Sequence, residues 1–243
     1  MAVEAVSSNA AHMVKHSSIY ALGNMLRQLV GFIMLPVYTR FLTPADYGVV
    51  GFMTFVISLI EPLLGARLGQ AIPKFYYDTR DQEKQAKVVS TALIITGIVS
   101  AVTTMVLVML REPSSQAIFG TAKYGPIVGF FAVLIFTQAV EQYALVYIRI
   151  QKRPWLFISV NLAKLVMQLS LNIWLVVVLE MGVMGVAVSA MASSSLFALL
   201  LLVYTLKQVG WGVDRQIALN MLRFCWPLWL AGLATLYINS SNR

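Results

Sequence analysis

Residues 155–179 read WLFISVNLAKLVMQLSLNIWLVVVL, and Lys164 is the one charge in the run. An α-helix rises about 1.5 Å per residue, so about 20 apolar residues cross a hydrocarbon core about 30 Å thick. The run is long enough, and in lipid only a helix satisfies the backbone of a single segment. Asn161, Lys164, Gln168 and Asn172 follow at steps of three, four and four, which puts all four on one helix face. The stretch reads as a membrane helix with one polar stripe turned away from acyl chains.

Working outward, runs of comparable length cover 19–41, 49–67, 88–110, 126–148 and 183–206, and another begins near 224 and turns polar at Asn239. The composition agrees: 59% hydrophobic and 12% charged, against about a quarter charged in a soluble domain, with a mean hydropathy of +0.77. No single water-soluble core of this size buries so much apolar surface. The expected fold is an all-α membrane protein. It has a polar segment at 1–16, a six-helix transmembrane bundle at 17–206, a loop at 207–223 and the start of a seventh span at 224–243. The first apolar run has no small-residue cleavage site after it and reads as a retained span rather than a signal peptide.

Basic residues predict the orientation. Twelve lie in or beside segments 1–16, 70–87, 149–154 and 207–223, against three on or beside the turns at 42–48, 111–125 and 180–182. That bias places the amino terminus and the longer segments in the cytoplasm, and it accounts for most of the +8 charge without nucleic acid. Segment 70–87 mixes Phe75, Tyr76 and Tyr77 with charges of both signs, which suits either a short amphipathic surface helix or a solvated loop. The lone Cys225 excludes a disulfide framework and a thiolate metal site.

An ionisable side chain near the bilayer centre costs about 2.5–3.5 kcal/mol on insertion scales, so it should face protein or water. Arg27 falls near the middle of the first run, with Asn24, Gln28 and Gly31 at helical spacing. The second run carries Thr54, Ser58, Glu61 and Gly65 as a row, and the fourth carries Gln138, Glu141 and Gln142. Two readings are open. In one, the stripes line a shared cavity in which Arg27 and Lys164 attract an anionic group while Asn24, Gln28, Asn161 and Gln168 contact it. Glu61 and Glu141 then tune the field or couple to a cation. In the other, Arg27 and Lys164 pair with Glu61 and Glu141 as buried ion pairs that hold the bundle. Pro36 and Pro62 predict kinks in the first two spans. No histidine lies in a span, and there is no Gly-rich phosphate loop, Ser-His-Asp set or metal-ligand cluster, so neither an enzyme nor a cofactor is expected.

Four stretches carry a resemblance: SSIYALGN at 17–24, LPVYTRFLTPADYG at 35–48, GARLGQAIPKFYY at 65–77 and RIQKRP at 149–154. They resemble the polysaccharide biosynthesis (Wzx-type) flippases of the MOP superfamily, which also holds the MATE exporters and the lipid II flippases. The resemblance implies two six-helix bundles around a central, often cationic cavity. It also implies transfer of undecaprenyl-pyrophosphate-linked oligosaccharide across a bacterial inner membrane, with that lipid and the bilayer as partners. Arg27 and Lys164 match the cationic positions by depth and facing. Relatives often carry an acid where Asn242 stands and then continue through a second bundle. A fragment is therefore expected, or a half-protein that pairs with a second copy or a partner. The rival expectations are a cation-coupled small-molecule exporter and a membrane scaffold for polysaccharide enzymes.

Overall fold

The computed structural model describes residues 34–64 and 68–241; Asn24, Arg27 and Gln28 lie outside them, as does the side chain of Glu61. The elements are the end of α1 (34–41), α2 (Pro44–Leu64), α3 (Leu68–Asp78), α4 (Gln82–Met109), α5 (Arg111–Phe119), α6 (Gly125–Ile150), α7 (Pro154–Ile173), α8 (Gly182–Val209) and α9 (Arg215–Ser241). A 3-10 turn at Ala122–Tyr124 leads into α6, and a π turn at Trp174–Val178 extends α7. Among the described residues there is no strand. Among the described residues four helical stretches are long and apolar enough to cross a membrane: Gln82–Met109, Ala122–Ile150, Pro154–Val178 and Gly182–Val209. They coincide with the runs read at 88–110, 126–148, 155–179 and 183–206. Ile98, Val102, Met105 and Met109 of α4 are exposed in a row suited to acyl chains, and Trp155 and Trp211 are exposed near helix ends, whereas the exposed Trp226 lies well inside α9. The chain is a multi-pass α-helical membrane protein.

Local chemistry sets the helix starts. In the turn TPAD at 43–46, the Thr43 hydroxyl accepts from Asp46 N at 3.2 Å, and the Asp46 carboxylate accepts from Thr43 N at 3.2 Å and from the Thr43 hydroxyl at 2.7 Å. This is a reciprocal capping box with Pro44 in the first helical turn of α2. Asp81 caps α4 through Glu83 N, and Asp214 caps α9 through Gln216 N and Ile217 N. Gly210, at φ 71°, ends α8 in a backbone conformation that favours glycine.

Helix α6 is the hub, touching α2, α3, α4, α5, α7 and α8. Helix α8 lies against it with Gly185, Ala187, Ser189, Ser193, Ser194 and Ala198 buried. Small side chains let backbones approach closely, which matters where lipid supplies no hydrophobic drive between helices. The Ser189 and Ser193 hydroxyls donate to their own helix at Val186 O (2.9 Å) and Ala190 O (3.1 Å), so the small-residue face leaves neither donor stranded.

Segment 70–87 contains an amphipathic helix, α3. Its apolar face meets protein rather than lipid: Leu68, Ala71 and Ile72 pack with Val89 of α4, Tyr143 of α6 and Met221 of α9. The Lys74 ammonium lies 4.0 Å from the centroid of the Phe224 ring. Two expected connections are shorter than drawn. Residues 111–125 hold α5 and a 3-10 turn, and of 207–223 only 210–214 is non-helical, because α8 runs to Val209 and α9 starts at Arg215. Charge marks where a chain leaves lipid, whereas helix ends follow from Gly210 and Asp214. The short link is held to α4 by Ser90 Oγ donating to Gly212 O at 2.7 Å and Asp214 N donating to Thr91 Oγ1 at 3.1 Å.

At the end of the bundle that carries Arg149, Arg153 and Lys207, a polar cluster ties α6, α7 and α8 together. Arg153 donates to the Tyr204 hydroxyl at 3.0 Å, Tyr204 donates to Gln151 Oε1 at 3.0 Å, and the Gln151 amide donates to Gln208, which also accepts from Tyr147. Tyr204→Phe removes the bridging hydroxyl and should lower the unfolding free energy by about 1 kcal/mol, read as a lower midpoint in reversible denaturation of the protein in bicelles.

Candidate functional site

The polar stripe of α7 forms one wall of a cleft of about 270 Å³ inside the apolar bundle. Asn161, Lys164, Leu165, Gln168, Leu169 and Asn172 come from α7, Gln138 and Glu141 from α6, and Met34 and Tyr38 from the end of α1. A spacing of three or four residues on α7 thus becomes a continuous line of hydrogen-bonding groups. Gln138 and Glu141, one helical turn apart on α6, face the same space.

Lys164 Nζ donates to Glu141 Oε2 at 2.5 Å, with the Lys164 and Glu141 side chains 17% and 8% exposed. The same carboxylate oxygen accepts from the Ser194 hydroxyl of α8 at 3.0 Å, and Lys164 lies 3.3 Å from Ser194 Oγ. The three groups close a triangle across α6, α7 and α8. Burying either charge alone would be prohibitive, and the pair is tolerated because each ion finds its counter-ion and a hydroxyl. An ammonium has three N–H donors. Among the described residues Glu141 and Ser194 engage two of them, leaving a third. Ser194→Ala removes a hydrogen bond to a charged acceptor and should destabilise the chain by about 1.5–3 kcal/mol. Ser194→Thr, which keeps the hydroxyl, should lose less in the same unfolding measurement.

At the other end of the cleft the Asn172 side-chain amide donates to the Tyr38 hydroxyl at 2.8 Å. Asn172 is 4% exposed, and among the described residues its Oδ1 has no hydrogen-bond partner. An unpartnered buried polar atom costs about 1–3 kcal/mol, so this amide is poor glue for the bundle.

Of the residues expected to form a site, the structure brings Lys164, Asn161, Gln168 and Glu141 into one cleft, with the Asn161 amide also donating to Phe157 O of its own helix at 2.6 Å. The Lys164–Glu141 ion pair of the second reading is formed, and it stands in the wall of the cleft. The α2 row behaves differently from the expectation of a shared cavity. Thr54 and Ser58 are exposed, and their hydroxyls bond back to Val50 O at 2.8 Å and Phe55 O at 2.7 Å. Neither lines the cleft, because a hydroxyl on a membrane helix can satisfy itself on its own preceding turn. Sequence reasoning missed Ser194 and Tyr38. The run of three serines at 193–195 inside an apolar helix was the available signal for the first. Tyr38 carried none beyond its place next to Pro36.

A second, open groove of about 450 Å³ lies between α3 and α6, lined by Gly69, Gln70, Pro73, Tyr77 and Arg149 among others. The Tyr77 hydroxyl there donates to Ile150 O at 3.1 Å, satisfying a carbonyl at the end of α6. Among the described residues no group of His, Cys, Asp and Glu is arranged to hold a metal ion.

No curated protein and no solved structure matches the chain. A family model described as polysaccharide biosynthesis protein matches residues 37–243, a span that takes in every described helix from α2 onward and all the cleft residues of α6 and α7. An apolar helical bundle with a charged, amide-lined cleft accords with the resemblance in the motifs at 35–48, 65–77 and 149–154, and the chain belongs to the polysaccharide biosynthesis protein family.

Proposed function

We propose that this chain moves lipid-linked oligosaccharide across a membrane: the diphosphate-bearing head group enters the cleft at Lys164 and crosses between leaflets there. The observation that carries the reading is the convergence of the α7 stripe and the Glu141–Lys164–Ser194 triangle on one cleft within lipid-facing helices. A cleft that buries polar groups at such cost in a membrane marks a path for a polar cargo. Lys164 is not a bare cation. Its partner keeps the site neutral when empty, and an anionic group takes up the remaining N–H and a share of the ammonium's charge. The reading extends to a multi-pass protein of a bacterial inner membrane, its amino terminus in the cytoplasm, as the twelve-to-three basic bias predicts. The cargo is an undecaprenyl-diphosphate oligosaccharide, the role is transport without catalysis, and a second bundle or a second copy supplies the facing wall.

Two other readings fare less well. A scaffold needs tightly packed stripes, and here they border a cleft. A cation-coupled exporter needs Glu61 or Glu141 available, and the Glu141 carboxylate already accepts from an ammonium and a hydroxyl.

The test reconstitutes the chain into vesicles with a fluorescent prenyl-diphosphate-linked disaccharide and follows its transfer between leaflets. The wild-type chain should accelerate transfer, and a Lys164→Met/Glu141→Met variant of equal stability should not. Equal transfer by the two, or none by the wild type, removes the proposal.

A further inference from the structure

Asn172 is a buried amide held in a state that folding alone does not favour. One of its two polar atoms is engaged by Tyr38 and the other has no partner, while the side chain lines the cleft. Resting on the reading of this cleft as a binding site, we infer that Asn172 and Tyr38 form a second recognition point, one that reads a hydroxyl group of the ligand.

The chemistry of the two side chains selects that class. Asn172 Oδ1 is an acceptor in need of a donor. The Tyr38 oxygen takes the Asn172 N–H through a lone pair, which leaves the phenol proton to donate. One donor and one acceptor side by side suit a group that both gives and receives a hydrogen bond. A hydroxyl does both; a phosphate oxygen only accepts, and an ammonium only donates. Turning the amide over frees its N–H donors and leaves the Tyr38 oxygen as the acceptor, so a donor and an acceptor still stand side by side and the preference stands. Neither side chain carries a charge at neutral pH, which separates this end of the cleft from the ion pair at the other.

The spacing adds a second constraint. Eight residues separate Lys164 from Asn172 on one continuous α7, a rise of about 12 Å. Gln168 lies midway on the same face, and Leu165 and Leu169 add apolar surface beside it. The cleft thus suits a ligand that carries an anionic group and a hydroxyl-bearing group in line, as a diphosphate with a sugar attached to it does, with the two recognition points about two helical turns apart on α7.

The test measures binding to the purified full chain in nanodiscs with three probes: farnesyl diphosphate, farnesyl diphosphate esterified to glucose, and short-chain phosphatidylglycerol. The wild-type protein should bind the glucose-bearing probe more tightly than the plain diphosphate by about tenfold, the worth of one or two hydrogen bonds. Asn172→Leu should abolish that preference, bringing the glucose-bearing probe down to the affinity of the plain diphosphate. Tyr38→Phe should reduce it in part. Because Asn172→Leu removes an unpartnered polar atom, the ligand-free variant should melt at or above the wild-type temperature. A purely structural Asn172 would instead give a lower melting temperature with the sugar preference intact, and that result overturns the inference. Phosphatidylglycerol carries a single phosphate and a short glycerol, a shorter reach than a diphosphate with a hexose, so its binding should not depend on Asn172; a matching dependence overturns the spacing argument. Failure of the wild-type chain to bind any diphosphate removes the cleft reading itself, and this inference with it. Binding of both diphosphates without discrimination leaves the cleft reading standing and removes only the hydroxyl-reading role.

Discussion

Lys164→Ala should lower the unfolding free energy by about 3–5 kcal/mol, the usual cost of leaving one member of a buried ion pair without its counter-ion. Glu141 is 6% exposed, and with the ammonium gone its carboxylate keeps only the Ser194 hydroxyl. The double substitution Lys164→Met/Glu141→Met removes both charges and fills comparable volume. It should recover most of that loss, because apolar replacement of a whole buried pair is often neutral or stabilising. A double-mutant cycle in reversible unfolding from bicelles measures the coupling. A Lys164→Ala variant as stable as the wild type would mean that water reaches the pair freely. The recovered double variant is also the one suited to the transport measurement, since it separates the role of the charges in the cleft from their role in the bundle.

The second large effect is expected at Gly185. A Cβ built there would lie 3.1 Å from the Leu175 carbonyl carbon and 3.1 Å from Val176 Cγ2. One of these neighbours is backbone, locked in the π turn where Leu179 N bonds to Trp174 O at 3.1 Å and Met181 N to Leu175 O at 3.0 Å. It has no rotamer by which to move away. Gly185→Leu should therefore destabilise the chain by about 1–3 kcal/mol or more through overpacking, with Gly185→Ala at the low end. Gly97→Ala is the control, because nothing lies within 4 Å of a Cβ there. It should be neutral or slightly stabilising, as alanine is the better helix former. Equal thermal shifts for the two sites would show that the α7–α8 approach is not tight. Asn172 sits just before this turn, so the Gly185 variants also report on how the far end of the cleft is positioned.

Much of the architecture was legible before any coordinates. The helices over 82–109, 125–150, 154–178 and 182–209 follow from apolar length, whereas α2 starts at Pro44, inside the turn expected at 42–48, because the capping box at 43–46 begins the helix before the apolar run does. The α7 stripe was legible too, because four polar residues at steps of three and four cannot be spread around a helix. The identity of Lys164's partner was not. Glu61 and Glu141 were equivalent candidates by depth, and the choice of Glu141 depends on how α6 and α7 are rotated about their axes. The partner of Ser194 was hidden for the same reason: a serine on an apolar helix bonds its own backbone by default, as Ser189 and Ser193 do, and only the closeness of α8 to α6 directs Ser194 to the carboxylate.

What the sequence determined by itself was therefore one-dimensional: which segments enter lipid and which face of α7 stays wet. It could do so because a bilayer offers the backbone no outside hydrogen-bond partner, so length and apolarity suffice to specify a spanning helix. The tertiary structure alone decided the pairings, Lys164 with Glu141 across 23 residues and Asn172 with Tyr38 across 134. Those depend on small residues that set how near, and at what rotation, one helix can lie on another.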